Sequence, residues 1–362
     1  MGVSIRAVQA QVASRLAFGE EVEMLHPGSV EETAEMLAEA TAKQRKVLIW
    51  SGGTHQGIGY GVVPDQVLFT DRLTRLLDWE PDDLTVVIES GAKVHDLETQ
   101  LATHNQTVVL SEQAGGGTVG GALAAGISGY RRARYGPTRD RVLEVQIVTG
   151  DGRVVRGGGR VVKNVTGYDL PRLAVGSLGS IGVIVSTCFK LWPLPPATAT
   201  ITREGSLPVD LYRPLAVLSD GESTRVYLAG TEAEVNDQRS RVGGDFVEGL
   251  HWPAPPDDSW CFSLRVPPAS ASDLVARLPA DSSYLHQVGV GEVAIAAPTK
   301  TGIEELRIAA EGLGGALVVT RAPDETLDPW GTPPAALDLQ RRLIAAFDPA
   351  RVLNPGRLPG RL

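Results

Sequence analysis

Cysteine is nearly absent from this chain, at 2 residues in 362. Two thiols cannot ligate an iron–sulfur cluster, which takes about four, so an iron–sulfur acceptor would have to be another chain. Cys188 and Cys261 sit in apolar, strand-like runs and read as two small buried hydrophobes. A basic excess is also missing, since the formal net charge is −9. Nucleic acid as the main partner would call for a basic footprint and is excluded on that ground. No apolar run approaches the roughly 20 residues needed to cross a bilayer. Residues 1–20 lack the basic-then-apolar pattern of a signal peptide. Cytoplasm is the expected compartment. Aromatics are scarce, yet apolar residues reach 43%, which suits a globular α/β protein. At this length one core has stopped growing, so two domains are expected.

Glycine, by contrast, is plentiful and gathered. Three stretches stand out: Ser51-Gly52-Gly53-Thr54-His55-Gln56-Gly57-Ile58-Gly59, Gly115-Gly116-Gly117-Thr118-Val119-Gly120-Gly121, and Val175-Gly176-Ser177-Leu178-Gly179-Ser180-Ile181-Gly182. Each follows or abuts an apolar run, so main chain without Cβ shielding is repeatedly brought to the ends of regular elements. A fold tolerates that entropic cost where backbone N–H groups must approach a bulky ligand closely. A phosphate-bearing cofactor is the natural candidate. A Rossmann fingerprint needs its glycines between a strand and a helix, but after Gly61 the chain reads as a turn and a further strand. No Gly-Lys-Ser/Thr of a Walker loop occurs either. The loops must therefore pool backbone amides from several segments; the plainer reading of each alone is a tight turn.

Periodicity gives the frame. Ser29 with Glu32 forms a capping-box start for a helix through about Lys43. Strands are expected over 46–50, 85–89 and 182–192, helices over 94–104 and 119–125, and a hairpin joining 142–149 to 153–155 through Asp151-Gly152. Pro193-Leu194-Pro195-Pro196 is a stiff linker. Beyond it the pattern changes to strands at 224–229, 260–266, 292–296 and 316–320 with helices over 271–278 and 302–311. That mixture suggests an α+β cap on an antiparallel sheet. A last helix is expected over 333–347. The division is then 1–195, 196–330 as the cap, and a tail of 331–362.

The motifs Gly52-Gly53-Thr54, Arg134-Tyr135-Gly136-Pro137-Thr138-Arg139-Asp140, Val162-Lys163-Asn164-Val165-Thr166-Gly167-Tyr168-Asp169-Leu170, Phe347-Asp348-Pro349-Ala350-Arg351 and Asn354-Pro355-Gly356-Arg357 occur in that order. Together they resemble the FAD-binding PCMH-type flavoproteins of the vanillyl-alcohol oxidase superfamily. The likeness is closer still to the flavin-holding E subunits of bacterial glycolate oxidases. It covers roughly residues 20–195 and 330–360 well, and the stretch between poorly. The resemblance implies an α+β protein with a two-subdomain FAD-binding fold and a smaller cap, the tail returning to the FAD domain. Gly52, Gly53, Thr54, His55, Gly57, Gly116, Thr118 and Gly121 match the loops that wrap the diphosphate. Gly182, Val183 and Ile184 match the segment edging the adenine and ribose. Arg134, Tyr135 and Lys163 would stand near the flavin, and Asn354 in the C-terminal turn. Some relatives tether the flavin through a His directly after the paired glycines. Thr54 fills that slot here, so a non-covalent FAD is expected.

Arg131, Arg132, Arg134, Arg139 and Arg141 fall close together in an acidic chain. They read either as a solvated basic face or as groups facing a partner or an anionic substrate, for which the guanidinium fork is suited. A general base is hard to find: His251 and His286 stand alone, His95 and His104 read as packing or surface residues, and His26 precedes a proline. The metal-binding His cluster of relatives that oxidise 2-hydroxy acids unaided has no counterpart. The resemblance therefore implies an FAD oxidoreductase subunit for a small 2-hydroxy acid. It would work beside a catalytic FAD subunit and an iron–sulfur subunit, through which it would be held peripherally at the inner face of the membrane. A stand-alone dehydrogenase using His286 or Tyr284, and a flavin-holding assembly subunit without catalysis, are the alternatives.

Overall fold

A computed structural model describes residues 22–110, 117–160, 167–205 and 211–362. The chain divides into two compact units, one of residues 1–128, 137–192 and 333–362, the other of 129–136 and 193–332. The linker prolines fall at the boundary, but segment 129–136, grouped above with the first domain, packs with the second unit.

The first unit opens with a parallel three-stranded sheet ordered Glu23–Leu25, Gln66–Phe69, Val47–Trp50. Helix Val30–Ala42 covers it with Leu37 and Ala40, both fully buried. Its start is set locally. Ser29 caps the N–H of Glu32, while the Glu32 carboxylate reaches back to the N–H of Gly28, one residue earlier than the standard box. A five-stranded antiparallel sheet follows, ordered Leu76–Glu80, Thr85–Glu89, Val183–Lys190, Val142–Val148, Val154–Gly158. Strand Val183–Lys190 sits at its centre and is buried at every position but the last, Ser186 and Thr187 included. Helices Val94–Ala102, Val119–Ala125 and Leu170–Ala174 pack on this sheet through Leu97, Leu101, Leu123 and Leu170. The expected helix over 333–347 begins only at Leu337; the ring of Pro334 disfavours the α region for Pro333, so the helix cannot start there.

The second unit is an eight-stranded antiparallel sheet carrying helices Glu232–Val242, Ala271–Val275 and Ile303–Gly312. Strand order is Asp245–Glu248, Ala197–Glu204, Ser223–Gly230, Ala216–Ser219, Ser283–Gln287, Glu292–Ala297, Trp260–Arg265, Ala316–Arg321. Segment 129–136 joins it: Arg132 pairs with Glu292 at 2.5 Å, and Tyr130 and Tyr135 pack against the cluster of Leu218, Tyr227 and Leu285. No described helix is long and apolar enough to cross a membrane.

Candidate functional site

The three glycine stretches meet in the first unit around a groove that opens to solvent. Each wall is built from elements already named. The Val47–Trp50 strand delivers Ser51 to Gln56, helix Val119–Ala125 presents Gly120, Gly121, Ala124 and Ala125, and the turn before Val183–Lys190 adds Leu178, Gly179 and Gly182. Small residues on the helix face let a ligand approach its backbone.

A chain of hydroxyls locks the first two walls together. Ser51 Oγ lies 2.6 Å from Thr70 Oγ1 and 2.6 Å from Thr118 Oγ1. Thr118 Oγ1 in turn accepts the N–H of Gly52 at 3.2 Å and that of Gly121 at 3.3 Å. Thr118 thus caps the helix and pins the glycine loop with one oxygen. The amides of Gly53, Thr54 and His55 have no acceptor among the described residues, although all three residues line the groove. Successive amides left in this way make an anion-binding nest. Gly53 adopts φ +77°, and a Cβ there would stand 2.8 Å from the Trp50 ring, so only glycine fits the bend.

The C-terminal tail closes the groove. Asn354, 1% exposed, accepts the N–H of Ile49 and donates to the Leu178 carbonyl. Arg357, 4% exposed, donates to the carbonyls of His55, Gln56 and Ile58 and to Gln56 Oε1. Burial holds its guanidinium down at about 10, still charged at neutral pH. Burial, assisted by that charge, pushes the half-buried His55 down to about 4, so its ring is neutral at pH 7. These two are the groove's titratable side chains among the described residues.

Of the residues expected at the cofactor, the groove gathers Gly52, Gly53, Thr54, His55, Gly121, Gly182, Ile184 and Asn354. Thr118 stands behind it as the hydroxyl link, Gly57 is exposed beyond the lining, and Val183 is buried in its strand. Gly116 and Lys163 lie outside the described residues. Arg134 and Tyr135 do not line the groove: they belong to the second unit, where Arg134 donates to the Ala229 carbonyl. Arg141 corrects the picture of a basic face, since it is 2% exposed and spends its donors on Val109 O and Thr138 Oγ1. Cys261 corrects the picture of two buried thiols, being half-buried beside Arg321. Ser51, Gln56, Thr70, Ser90 and Arg357 were missed as lining residues. Ser51, Gln56 and Arg357 carried a signal as members of quoted stretches; Thr70 and Ser90 carried none.

A family described as FAD binding domain matches residues 24–158. The glycolate oxidase subunit GlcE of Escherichia coli is 29% identical over 303 residues, 78% of this chain and 84% of that protein. The D-lactate dehydrogenase of Archaeoglobus fulgidus is 33% identical over 185 residues, covering 50% of this chain and 41% of the enzyme. A D-2-hydroxyglutarate dehydrogenase of Xanthomonas citri is 32% identical over 47% of this chain and 36% of its own length. The chain therefore spans under half of these two dehydrogenases. Among solved structures an alkyldihydroxyacetonephosphate synthase superposes with TM-score 0.65 at 15% identity, over 92% of this chain and 75% of that one. The shared architecture is the two-subdomain FAD-binding PCMH-type fold. The groove's chemistry suits that cofactor: amides without an acceptor and a buried guanidinium belong to its lining, and Ile49, Leu178 and Ile184 supply apolar wall.

Proposed function

From the premise that this chain is an FAD-dependent oxidoreductase, its FAD-binding domain lying over residues 24–158, we propose that it is the flavin-holding subunit of a complex oxidising glycolate or a related 2-hydroxy acid. Bound FAD would supply a redox-active ring able to take up electrons or pass them on. The chain's own part is to hold the diphosphate on the 53–55 amides, offset its charge with Arg357, and keep water from the dinucleotide with Ile49, Leu178 and Ile184.

Likeness across 84% of a glycolate oxidase subunit supports the subunit role. One feature of the groove supports it further. A general base works best with a pKa near the working pH, and His55, at about 4, is far from that. Substrate oxidation would then draw on a second flavin subunit, with electrons leaving to an iron–sulfur chain rather than to NAD.

The test is turnover with an artificial dye acceptor, using glycolate and a panel of 2-hydroxy acids, for the isolated chain and for the chain co-expressed with its complex partners. Bound FAD with turnover only in the complex is the expected result. Turnover by the isolated chain would make it a stand-alone dehydrogenase instead.

A further inference from the structure

The last fifteen residues make a continuous set of contacts whose sum is more than a chain end tucked against its domain. Asp348, fully buried after helix Leu337–Phe347, accepts the N–H of Leu353 on Oδ2 at 2.8 Å, and its main-chain carbonyl accepts the N–H of Arg351 at 3.1 Å. Gly150 packs so tightly on this carboxylate that a Cβ would lie 2.2 Å from Oδ1. The turn so formed aims the chain along strand Val47–Trp50. Val47 donates to Val352 O at 2.7 Å, Leu353 bridges Val47 in parallel, and Asn354 donates to Val47 O at 2.9 Å.

From there two side chains reach two walls of the groove. Asn354 spans from Ile49 N at 2.9 Å to Leu178 O at 2.6 Å, tying the first strand to the turn that carries Gly179 and Gly182. That turn is fitted to it, for a Cβ at Gly179 would meet Asn354 Nδ2 at 2.8 Å. Arg357 spreads its fork over His55 O, Gln56 O, Ile58 O and Gln56 Oε1 at 2.8 to 3.2 Å. Gln56 Nε2 returns a bond to Ile49 O at 3.0 Å. Three carbonyls turned toward the guanidinium send the N–H groups of Gln56, Gly57 and Gly59, which share their peptide planes, the other way, and the first of these planes fixes the end of the 53–55 segment at His55.

We propose that Asn354 and Arg357 form a clasp that sets the shape of the diphosphate cradle, with Arg357 acting as a positioning residue through its planar fork. This rests on the groove being the FAD site. A lysine keeps the charge but, as a compact point charge, cannot hold several acceptors in one plane. The clasp therefore separates from a plain electrostatic role of Arg357.

The test uses the full chain stripped of flavin, with FAD and separately ADP as probes, and the thermal midpoint of the apo-protein as a control. Arg357→Lys and Arg357→Gln are expected to weaken both ligands alike, by about tenfold or more, the equivalent of one lost charge-assisted bond. Wild-type affinity in Arg357→Lys would overturn the clasp in favour of a charge contact. A lowered apo midpoint with unchanged affinity would overturn it in favour of a purely structural tail. If the arginine variants do not fold, Gln56→Ala removes one acceptor of the fork, and unchanged FAD affinity there overturns the proposal equally. A wild-type chain binding neither probe would instead remove the cofactor site itself, and the clasp with it.

Discussion

Replacing Gly53 by alanine tests how tightly the groove is specified. Two costs arise together. At φ +77° a residue with a Cβ pays about 1–2 kcal/mol for left-handed backbone. The new methyl would also stand 2.8 Å from Cζ2 and 3.0 Å from Nε1 of Trp50, a ring only 2% exposed and unable to withdraw. Overpacking of that kind costs about 1–3 kcal/mol, so the sum is about 2–5 kcal/mol. This is smaller than the usual stability of a domain, about 5–15 kcal/mol, and the apo loop can relax by moving. The FAD complex, which needs the loop in place, then bears the strain, and its dissociation constant rises by about thirtyfold to several thousandfold. Gly176→Ala is the control, since φ is +84° but no atom lies within 4 Å of its Cβ. Flavin fluorescence titration of both variants against wild type reads the difference. Equal affinities for Gly53→Ala and Gly176→Ala, a glycine outside the groove lining, would refute the reasoning that the bend at Gly53 governs FAD binding.

Three further outcomes follow from the same geometry. Acid or heat precipitation should leave all flavin in the supernatant, because Thr54 rather than His55 directly follows the glycine pair; flavin retained in a peptide would contradict a non-covalent cofactor. His55 binds fewer protons folded than unfolded between its usual value near 6.5 and about 4, so apo stability should fall as pH drops through that window. His55→Gln should flatten urea midpoints measured from pH 7 to pH 4, with a residual slope left by His286, whose pKa is also lowered by burial. Arg141→Met should destabilise the first unit by about 3 kcal/mol, stranding the Val109 carbonyl and losing charge-assisted bonds; a midpoint unchanged in thermal denaturation would contradict that.

What was legible in the sequence is what nearby residues decide. Helix Val30–Ala42 and helix Val119–Ala125 follow from their caps, Ser29 and Thr118, and the glycine loops follow from bends that reject a Cβ. Helix Glu232–Val242 escaped notice because its only buried apolar residues are Val235 and Val242. Its capping box, Thr231 with Glu234, was nevertheless present to be read. Strand Ala197–Glu204 was hidden by weakly apolar alternation of alanine and threonine, although Ala199, Thr200 and Ile201 are all buried. The remainder depends on distant pairings. Arg132 finds Glu292 across 160 residues, which carries 129–136 into the second unit, and Arg357 finds Gln56 across 301. No local pattern announces either.

Equilibrium titration of the flavin-stripped full chain with FAD, repeated with ADP as competitor, addresses the cradle most directly. Saturable binding of one FAD per chain, displaced by ADP, is the predicted result. Absence of saturable binding, or binding that ADP leaves untouched, would contradict a flavin held by its diphosphate on the glycine amides.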